Sequence, residues 1–132
     1  MLLMLDTNIV SHLVRQHPGV VDHYSRIAPE EMCISSVTKA ELLYGVARKQ
    51  SHTLHETISE FLKTITICDW DSDAAAIYGK LRAEMEKRGK VMGDLDQLIA
   101  AHALSLGTTI VTNDRAFGMV QELTIEDWTT AA

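Results

Sequence analysis

The sequence lacks any long hydrophobic run and contains very few cysteines. None of its apolar stretches approaches the roughly 20 residues that span a bilayer, so a membrane-spanning helix is not expected. The apolar run at residues 1–5 has no basic segment before it, so a secretory signal is not expected either. The two cysteines, Cys33 and Cys68, provide neither a disulfide framework nor the spacing of a zinc site. Both lie in apolar runs, which predicts buried free thiols and a reducing, cytoplasmic setting.

Excess positive charge is also missing. The chain carries 18 acidic residues against 12 lysines and arginines, a formal net charge of -6, whereas proteins that capture nucleic acid electrostatically usually have a basic surface. This objection weakens if several acids converge on one site and are neutralised by a metal. The hydrophobic fraction of 46% is that of an ordinary globular chain, and 132 residues predict one domain spanning residues 1–132.

Short apolar runs alternate with helical patterns along the chain. Residues 1–5 are apolar throughout, as expected of a strand covered on both faces of a parallel sheet, and the cap-forming Asp6 precedes helical spacing. Further strands are predicted at residues 32–34, 64–68, 108–111 and 123–125, and helices at residues 7–15, 20–27, 37–50, 71–88 and 95–106. The alternation, without hairpin signals, predicts an α/β sandwich around a central, mainly parallel sheet of four to five strands.

Two consecutive helices in the first half form a predicted helical hairpin. The helix at residues 37–50 is apolar on more than one side, so we expect it to be packed rather than exposed. Thr53-Leu54-His55-Glu56 reads as a capping box for the next helix. Its stripe of Leu54, Ile58 and Phe61 is expected to belong to the core, with a groove for a partner as the alternative.

Acidic residues recur where this architecture brings separate segments together. Asp6 and Asp114 follow buried strands, and ligands of open α/β sheets bind outside the carboxyl ends of the strands. Glu41 and Asp96 lie near the starts of helices that adjoin the same rim of the sheet. Asp94 is most simply the cap of the second of these helices.

Glu41 carries the strongest argument for a metal. It shares a helical stripe with Val37 and Tyr44 in a helix expected to be packed, where an unpartnered carboxylate is costly. A salt bridge to Lys or Arg is one solution. Oxygen ligands converging from four segments on Mg²⁺ or Mn²⁺ are the other, and the residues alone leave the two open.

Four short motifs surround these acids, in order along nearly the whole chain. They are Leu5-Asp6-Thr7-Asn8, then Ser35-Ser36-Val37-Thr38 with Glu41-Leu42 and Gly45, then Asp96-Gln97-Leu98-Ile99-Ala100-Ala101, and finally Thr112-Asn113-Asp114. The ordered set resembles the motifs of the PIN-domain ribonucleases, and more narrowly those of the VapC toxins of bacterial VapBC toxin–antitoxin pairs. Any one motif alone is weak, whereas the ordered set is specific.

The resemblance implies a PIN-like α/β/α sandwich and a Mg²⁺- or Mn²⁺-dependent endoribonuclease. Asp6, Glu41, Asp96 and Asp114 match the family's four acids, which are both catalytic and metal-binding. Asp94 is an additional acid, either a helix cap or a contact to a second ion through water. The implied reaction is metal-assisted hydrolysis of an RNA phosphodiester bond.

The same resemblance assigns supporting roles to polar residues beside the acids. Thr7, Asn8 and Thr112 match residues that hold the carboxylates in place. Asn113 belongs to this group, with a ligand role through its amide oxygen as the alternative. Arg115, next to the fourth acid, is the first candidate for a contact to a substrate phosphate.

The family also implies partners. Its toxins are typically homodimers that cleave structured loops of transfer or ribosomal RNA, which inhibits translation and growth. A cognate VapB-type antitoxin neutralises them, its tail across the site and its other domain on operator DNA. Two alternatives stay open for this chain: a non-toxic PIN-type RNA-processing nuclease and a catalytically silent binding module.

Competing classes of α/β protein fit the pattern less well. A nucleotide-binding Rossmann unit needs a glycine-rich turn after the first strand, and a haloacid-type phosphohydrolase needs an acid where Asn8 stands.

The six histidines are scattered: His52 and His55 are expected at the surface, and His102 receives no role. Acid–base catalysis by histidine, as in metal-free ribonucleases, is therefore the less favoured mechanism.

Overall fold

A five-stranded parallel sheet forms the centre of the computed structural model, which describes residues 2–130. The strands are β1 (Leu3–Leu5), β2 (Met32–Ser35), β3 (Thr66–Cys68), β4 (Thr109–Val111) and β5 (Ile125–Glu126). Their order is β3-β2-β1-β4-β5, and every neighbouring pair runs parallel. The predicted architecture is confirmed. Met1, the first residue of the predicted first strand, lies outside the described residues.

Six α-helices connect the strands within the described part of the chain. They are α1 (Thr7–Val14), α2 (Pro18–Arg26), α3 (Ser36–Lys49), α4 (His52–Thr64), α5 (Ser72–Lys87) and α6 (Asp94–Leu106). Short 3₁₀ turns occupy Pro29–Glu31 and Arg115–Met119. Of the helices in residues 2–130, none combines the length and the apolar composition needed to cross a membrane.

The sheet is covered on both faces, which explains its continuous apolar strands. Successive side chains of a strand point to opposite faces. Leu5 accordingly belongs to the core beneath the first four helices, whereas Met4 belongs to the core shared with α6. Both cysteines are free thiols, as predicted, but only Cys33 is fully buried, and Cys68 is partly exposed. Burial and the neighbouring Cys68 raise the pKa of the Cys33 thiol to about 12.

The structure corrects the predicted ends of α4. Ser51 caps this helix, and its hydroxyl accepts a hydrogen bond from the backbone N–H of Leu54 at 3.2 Å. The predicted capping box beginning at Thr53 is therefore wrong, because a serine two residues earlier already satisfies the free N–H groups. At the other end, Thr64 belongs to the last turn of the helix, so β3 begins at Thr66 rather than at residue 64.

Two further local predictions were wrong. The N-cap of α6 is Gly93, and Asp94 is the first helical residue instead of the cap. The helix α3 is not packed on all sides, since Leu43 and Tyr44 are exposed. The apolar residues of this helix form one buried stripe and one stripe on the surface. The composition of the helix does not show which stripe is buried.

Candidate functional site

The side chain of Asp6 lies buried at the carboxyl end of β1 and is 2% exposed. Its Oδ1 accepts the backbone N–H of Thr7 at 2.8 Å, and its Oδ2 accepts the hydroxyl of Thr112 at 2.8 Å. Burial raises the pKa of Asp6 to about 6, against the lowering effect of these two hydrogen bonds; the charges of Glu41 and Asp114 raise it further. Asp6 is thus fixed in orientation and lies in the field of two other acids.

Glu41 reaches the same rim from the second turn of α3. The Thr7 hydroxyl donates a hydrogen bond to Glu41 Oε1 at 2.6 Å and lies 3.3 Å from the hydroxyl of the buried Thr38. Since the backbone N–H of Thr7 also binds Asp6, one residue ties two acids together.

Asp96 and Asp114 complete the group from α6 and from the end of β4. Their side chains lie close enough together for the charge of Asp114 to act on Asp96. Burial raises the pKa of Asp96 to about 7, and the charges of Asp6, Asp114 and Glu41 add to the effect. Asp114 is further oriented by its Oδ1, which accepts the backbone N–H of Ala116 at 2.9 Å. The structure therefore brings all four sequence-predicted acids to one rim of the sheet.

No basic side chain neutralises this acidic group within residues 2–130. The four ion pairs of the described part join neighbours on helices α2, α4 and α5, and none includes Asp6, Glu41, Asp96 or Asp114. The salt bridge considered for Glu41 is thus not formed with any described lysine or arginine. What remains is a concentration of negative charge at this rim of the sheet.

The chemistry of the group fits a hard divalent cation. Carboxylate oxygens are the ligands that Mg²⁺ and Mn²⁺ prefer, and a cation offsets the repulsion that contributes to the raised pKa values of Asp6 and Asp96. As placed, however, no three histidine, cysteine, aspartate or glutamate side chains of the described residues are close enough to enclose an ion. The carboxylates of Glu41, Asp96 and Asp114 are half-exposed and therefore accessible from solvent.

Several predicted residues lie outside this group. Asn8 is exposed and makes no hydrogen bond to a described carboxylate. Asn113 is also exposed, and its Nδ2 lies 3.3 Å from His12 Nε2 rather than beside an acid. Asp94 is exposed, and its charge acts on Arg82 of α5. Arg115 is exposed beside Asp114, in the wall of a shallow cavity of about 320 Å³.

The structure also reveals residues that the sequence did not single out as part of the site. His102 is buried in α6, with Nδ1 2.7 Å from the hydroxyl of Ser35. That hydroxyl also accepts the backbone N–H of Val37 at the start of α3. Burial lowers the pKa of His102, so its neutral form links the helix that carries Asp96 to the helix that carries Glu41. The small residues on either side of His102 in the sequence were the signal that could have indicated its burial, because small residues allow helices to pack closely.

A groove of about 230 Å³ opens beside Thr7 and Glu41, between α1, α3 and α4. Its apolar lining consists of Val14, Leu42, Val46, Leu54 and Ile58, and two cations, Arg15 and Lys49, also line it. Gly45 also lines the groove. A Cβ at this position would meet nothing within 4 Å, so the glycine leaves this part of the groove open. Of the predicted stripe of α4, Ile58 and Phe61 are buried in the core, whereas Leu54 is half-buried in the groove wall.

Comparison with protein-family models matches residues 3–123 to the PIN domain. Among curated relatives, the tRNA(fMet)-specific endonuclease VapC of Shigella flexneri is 41% identical over 127 residues. The aligned region covers 95% of this chain and 96% of that relative. The resemblance deduced from the four motifs therefore extends over nearly the full length of both proteins.

Solved structures give the same result for the fold. The crystal structure of VapBC2 from Rickettsia felis bound to a DNA fragment from their promoter contains a chain with a TM-score of 0.88 and 33% identity, covering 97% of this chain and 99% of that chain. DNA-bound VapBC from Salmonella typhimurium gives a TM-score of 0.88 at 35% identity with the same coverage.

Proposed function

The chain belongs to the PIN-domain family of VapC ribonucleases, and on that premise we propose that it is the toxin of a type II toxin–antitoxin pair, an endoribonuclease that hydrolyses RNA phosphodiester bonds. The observation that carries the proposal is the meeting of four acids from four chain segments at one rim, without a described basic partner. In the proposal, residues 1–132 act as a single domain, in the cytoplasm.

The four acids Asp6, Glu41, Asp96 and Asp114 are the proposed holders of Mg²⁺ or Mn²⁺. When bound, such an ion would supply activation of a water molecule for attack on phosphorus and stabilisation of the charge on the leaving oxygen. Asp6 presents oxygens whose direction is fixed by its two hydrogen bonds. Burial and the charges of the other acids raise the pKa of Asp96 to about 7, and this group has to lose its proton to become a ligand, which makes ion binding depend on pH.

Thr7 and Thr112 are the proposed positioning residues of the site. Thr7 binds Asp6 through its backbone and Glu41 through its hydroxyl. The Thr112 hydroxyl donates a hydrogen bond to Asp6 and accepts one from the backbone N–H of Asp114 at 3.0 Å. Each threonine therefore helps to set the relative position of two acids, and fixed positions of the reacting groups favour catalysis.

The proposed substrates are loops of tRNA or rRNA. Loops expose unpaired bases and a flexible backbone, and sequence-specific RNA recognition overwhelmingly targets such regions. The tRNA(fMet) specificity in the name of the Shigella flexneri relative supports the first class. Exposed cations flank the acids, and Arg115 beside Asp114 is the proposed contact to a phosphate near the cleaved bond.

The proposed partner is a VapB-type antitoxin that also binds promoter DNA. VapBC2 from Rickettsia felis is bound to a DNA fragment from their promoter, and VapBC from Salmonella typhimurium is bound to DNA, which supports this proposal. The groove beside Glu41 suits an apolar side chain of the antitoxin, because its lining is mainly apolar and its mouth adjoins the acids. In this proposal, an antitoxin segment bound in the groove lies across the four acids and blocks the access of RNA. The toxin itself is proposed to be a homodimer, as the family resemblance implies.

Incubating the purified protein with total tRNA and rRNA tests the proposed activity. We expect discrete cleavage products with Mg²⁺ or Mn²⁺ and none with excess EDTA, and sequencing of the 5′ ends identifies the cleaved loop. Absence of cleavage at any ion concentration contradicts the nuclease, whereas cleavage without growth arrest on expression favours a non-toxic RNA-processing nuclease.

A further inference from the structure

Tyr44 differs from every other aromatic residue of the chain in its exposure. All seven phenylalanine, tryptophan and tyrosine residues lie within residues 2–130. Three are buried and three are half-buried: Phe61, Phe117 and Trp128 in the first group, and Tyr24, Trp70 and Tyr78 in the second. Tyr44 is 67% exposed, and its hydroxyl has no hydrogen-bond partner among the described residues. An aromatic ring with so much free surface is available for an external ligand.

The position of Tyr44 relates it directly to the acids. It follows Glu41 by three residues in α3, so their Cβ atoms are neighbours on one helix face, about 5–6 Å apart. The next residue, Gly45, adds no side chain to this surface, and a Cβ there would meet no atom of the chain beyond its neighbours within 4 Å. One turn further on, Arg48 is exposed and belongs to none of the ion pairs of the described part. An acid, a free ring and a free cation thus follow one another along the helix.

We propose that Tyr44 stacks against a base of the RNA next to the cleaved phosphodiester bond, with Arg48 near the following phosphate. The inference rests on the proposed ribonuclease function. Unpaired RNA bases are commonly held by stacking on aromatic side chains. A chain with a net charge of -6 obtains little affinity from general electrostatic attraction, so a stacking surface beside the acids supplies binding that charge does not.

Steady-state cleavage of a short single-stranded RNA by three variants tests this proposal. Because stacking contributes substantially to binding, Tyr44→Ala should raise KM about tenfold or more and change kcat less than threefold. Tyr44→Phe retains the ring and should behave as the wild type. Leu43→Ala is the matched control, since Leu43 is the exposed neighbour on the same helix and is 46% exposed. Since both side chains are exposed, we expect all variants to keep the wild-type melting temperature.

An abasic substrate separates stacking from other roles of the ring. With the base next to the cleavage site removed, wild type and Tyr44→Ala should have equal KM values. Dissociation constants in the Asp6→Asn background should show the same pattern, which separates binding from cleavage.

The outcomes distinguish this proposal from the one on which it rests. If wild type cleaves RNA but Tyr44→Ala has unchanged KM and Kd, the stacking role is wrong and the nuclease function stands. The stacking role is equally wrong if Tyr44→Ala alters only self-association or antitoxin binding, because the ring then contacts protein. If wild type neither binds nor cleaves RNA, both proposals fail.

Discussion

The hydroxyl of Thr112 donates a 2.8 Å hydrogen bond to Oδ2 of Asp6, a residue 106 positions away in the sequence. The two residues meet because β1 and β4 are neighbours in the sheet, with Leu5 opposite Val111. Thr112 is 1% exposed, so water does not replace its hydrogen bond to the carboxylate. It also accepts the backbone N–H of Asp114. One buried hydroxyl therefore links the first and the last of the four acids.

Removing this hydroxyl tests how much the orientation of the acids matters. For Thr112→Val we expect cleavage to fall about 10–100-fold, as is typical when the partner of a metal-binding carboxylate is lost. Stability should fall by about 1–3 kcal/mol, because buried polar groups lose their partner. Thr112→Ser keeps the hydroxyl and is the control. Equal rates for the valine variant and wild type, measured at saturating Mn²⁺, are incompatible with a positioning role.

The pH dependence of stability should have an unusual sign in the metal-free protein. Burial raises the pKa of Asp6 from 3.8 to about 6 and that of Asp96 from 3.8 to about 7. The folded state then binds protons more tightly than the unfolded state, so both acids lower the free energy of unfolding as the pH rises from about 4 to about 7. Urea denaturation in EDTA across this range measures the effect, and Asp6→Asn should flatten it.

Adding Mn²⁺ should reverse this trend. An ion that binds only the folded protein stabilises it by about 2.7 kcal/mol at 100 times its Kd, and it binds only once the acids are deprotonated. The stabilisation should therefore be large at pH 8 and small at pH 5. Equal stabilisation at both pH values would indicate that the ion binds away from Asp6 and Asp96.

The groove between α1, α3 and α4 gives a prediction about the antitoxin. Leu54→Glu places a charge in its apolar wall, on a half-buried residue away from the acids. The variant should remain an active ribonuclease, while its affinity for the co-expressed antitoxin falls at least tenfold. Thr57→Glu adds the same charge at an exposed position of α4 outside the groove and should be neutralised normally. Pull-down combined with growth rescue measures both, and full rescue of Leu54→Glu would exclude the groove.

The sequence was sufficient to predict the sheet and the convergence of the acids. Asp6 and Asp114 each follow a continuous apolar strand. Because the carboxyl ends of parallel strands lie at the same rim of a sheet, both acids are expected at that rim. The identity of the neighbouring strands was not predictable from spacing, because it depends on the order β3-β2-β1-β4-β5. The pairing of Asp6 with Thr112 is a consequence of that order.

Predictions failed where similar residues compete for one role. Ser51 and Thr53 both form good caps, and only the three-dimensional path of α4 determined which one is used. The pattern around Glu41 predicted a packed helix, yet Tyr44 is exposed, because a helix beside an open site buries only part of its apolar surface. The burial of His102 against Ser35 joins residues 67 positions apart, a contact that local patterns do not reveal.

Growth after induction of Asp6→Asn tests the central claim most directly. The substitution preserves the shape of the side chain but removes the charge of the most constrained acid of the site. Wild type should stop growth, and Asp6→Asn, at the same protein level, should allow growth at the rate of an empty vector. Asp73→Asn, which changes an exposed carboxylate at the start of α5, should stay toxic. Growth arrest by Asp6→Asn as strong as by wild type would contradict an acid-dependent nuclease as the cause of toxicity.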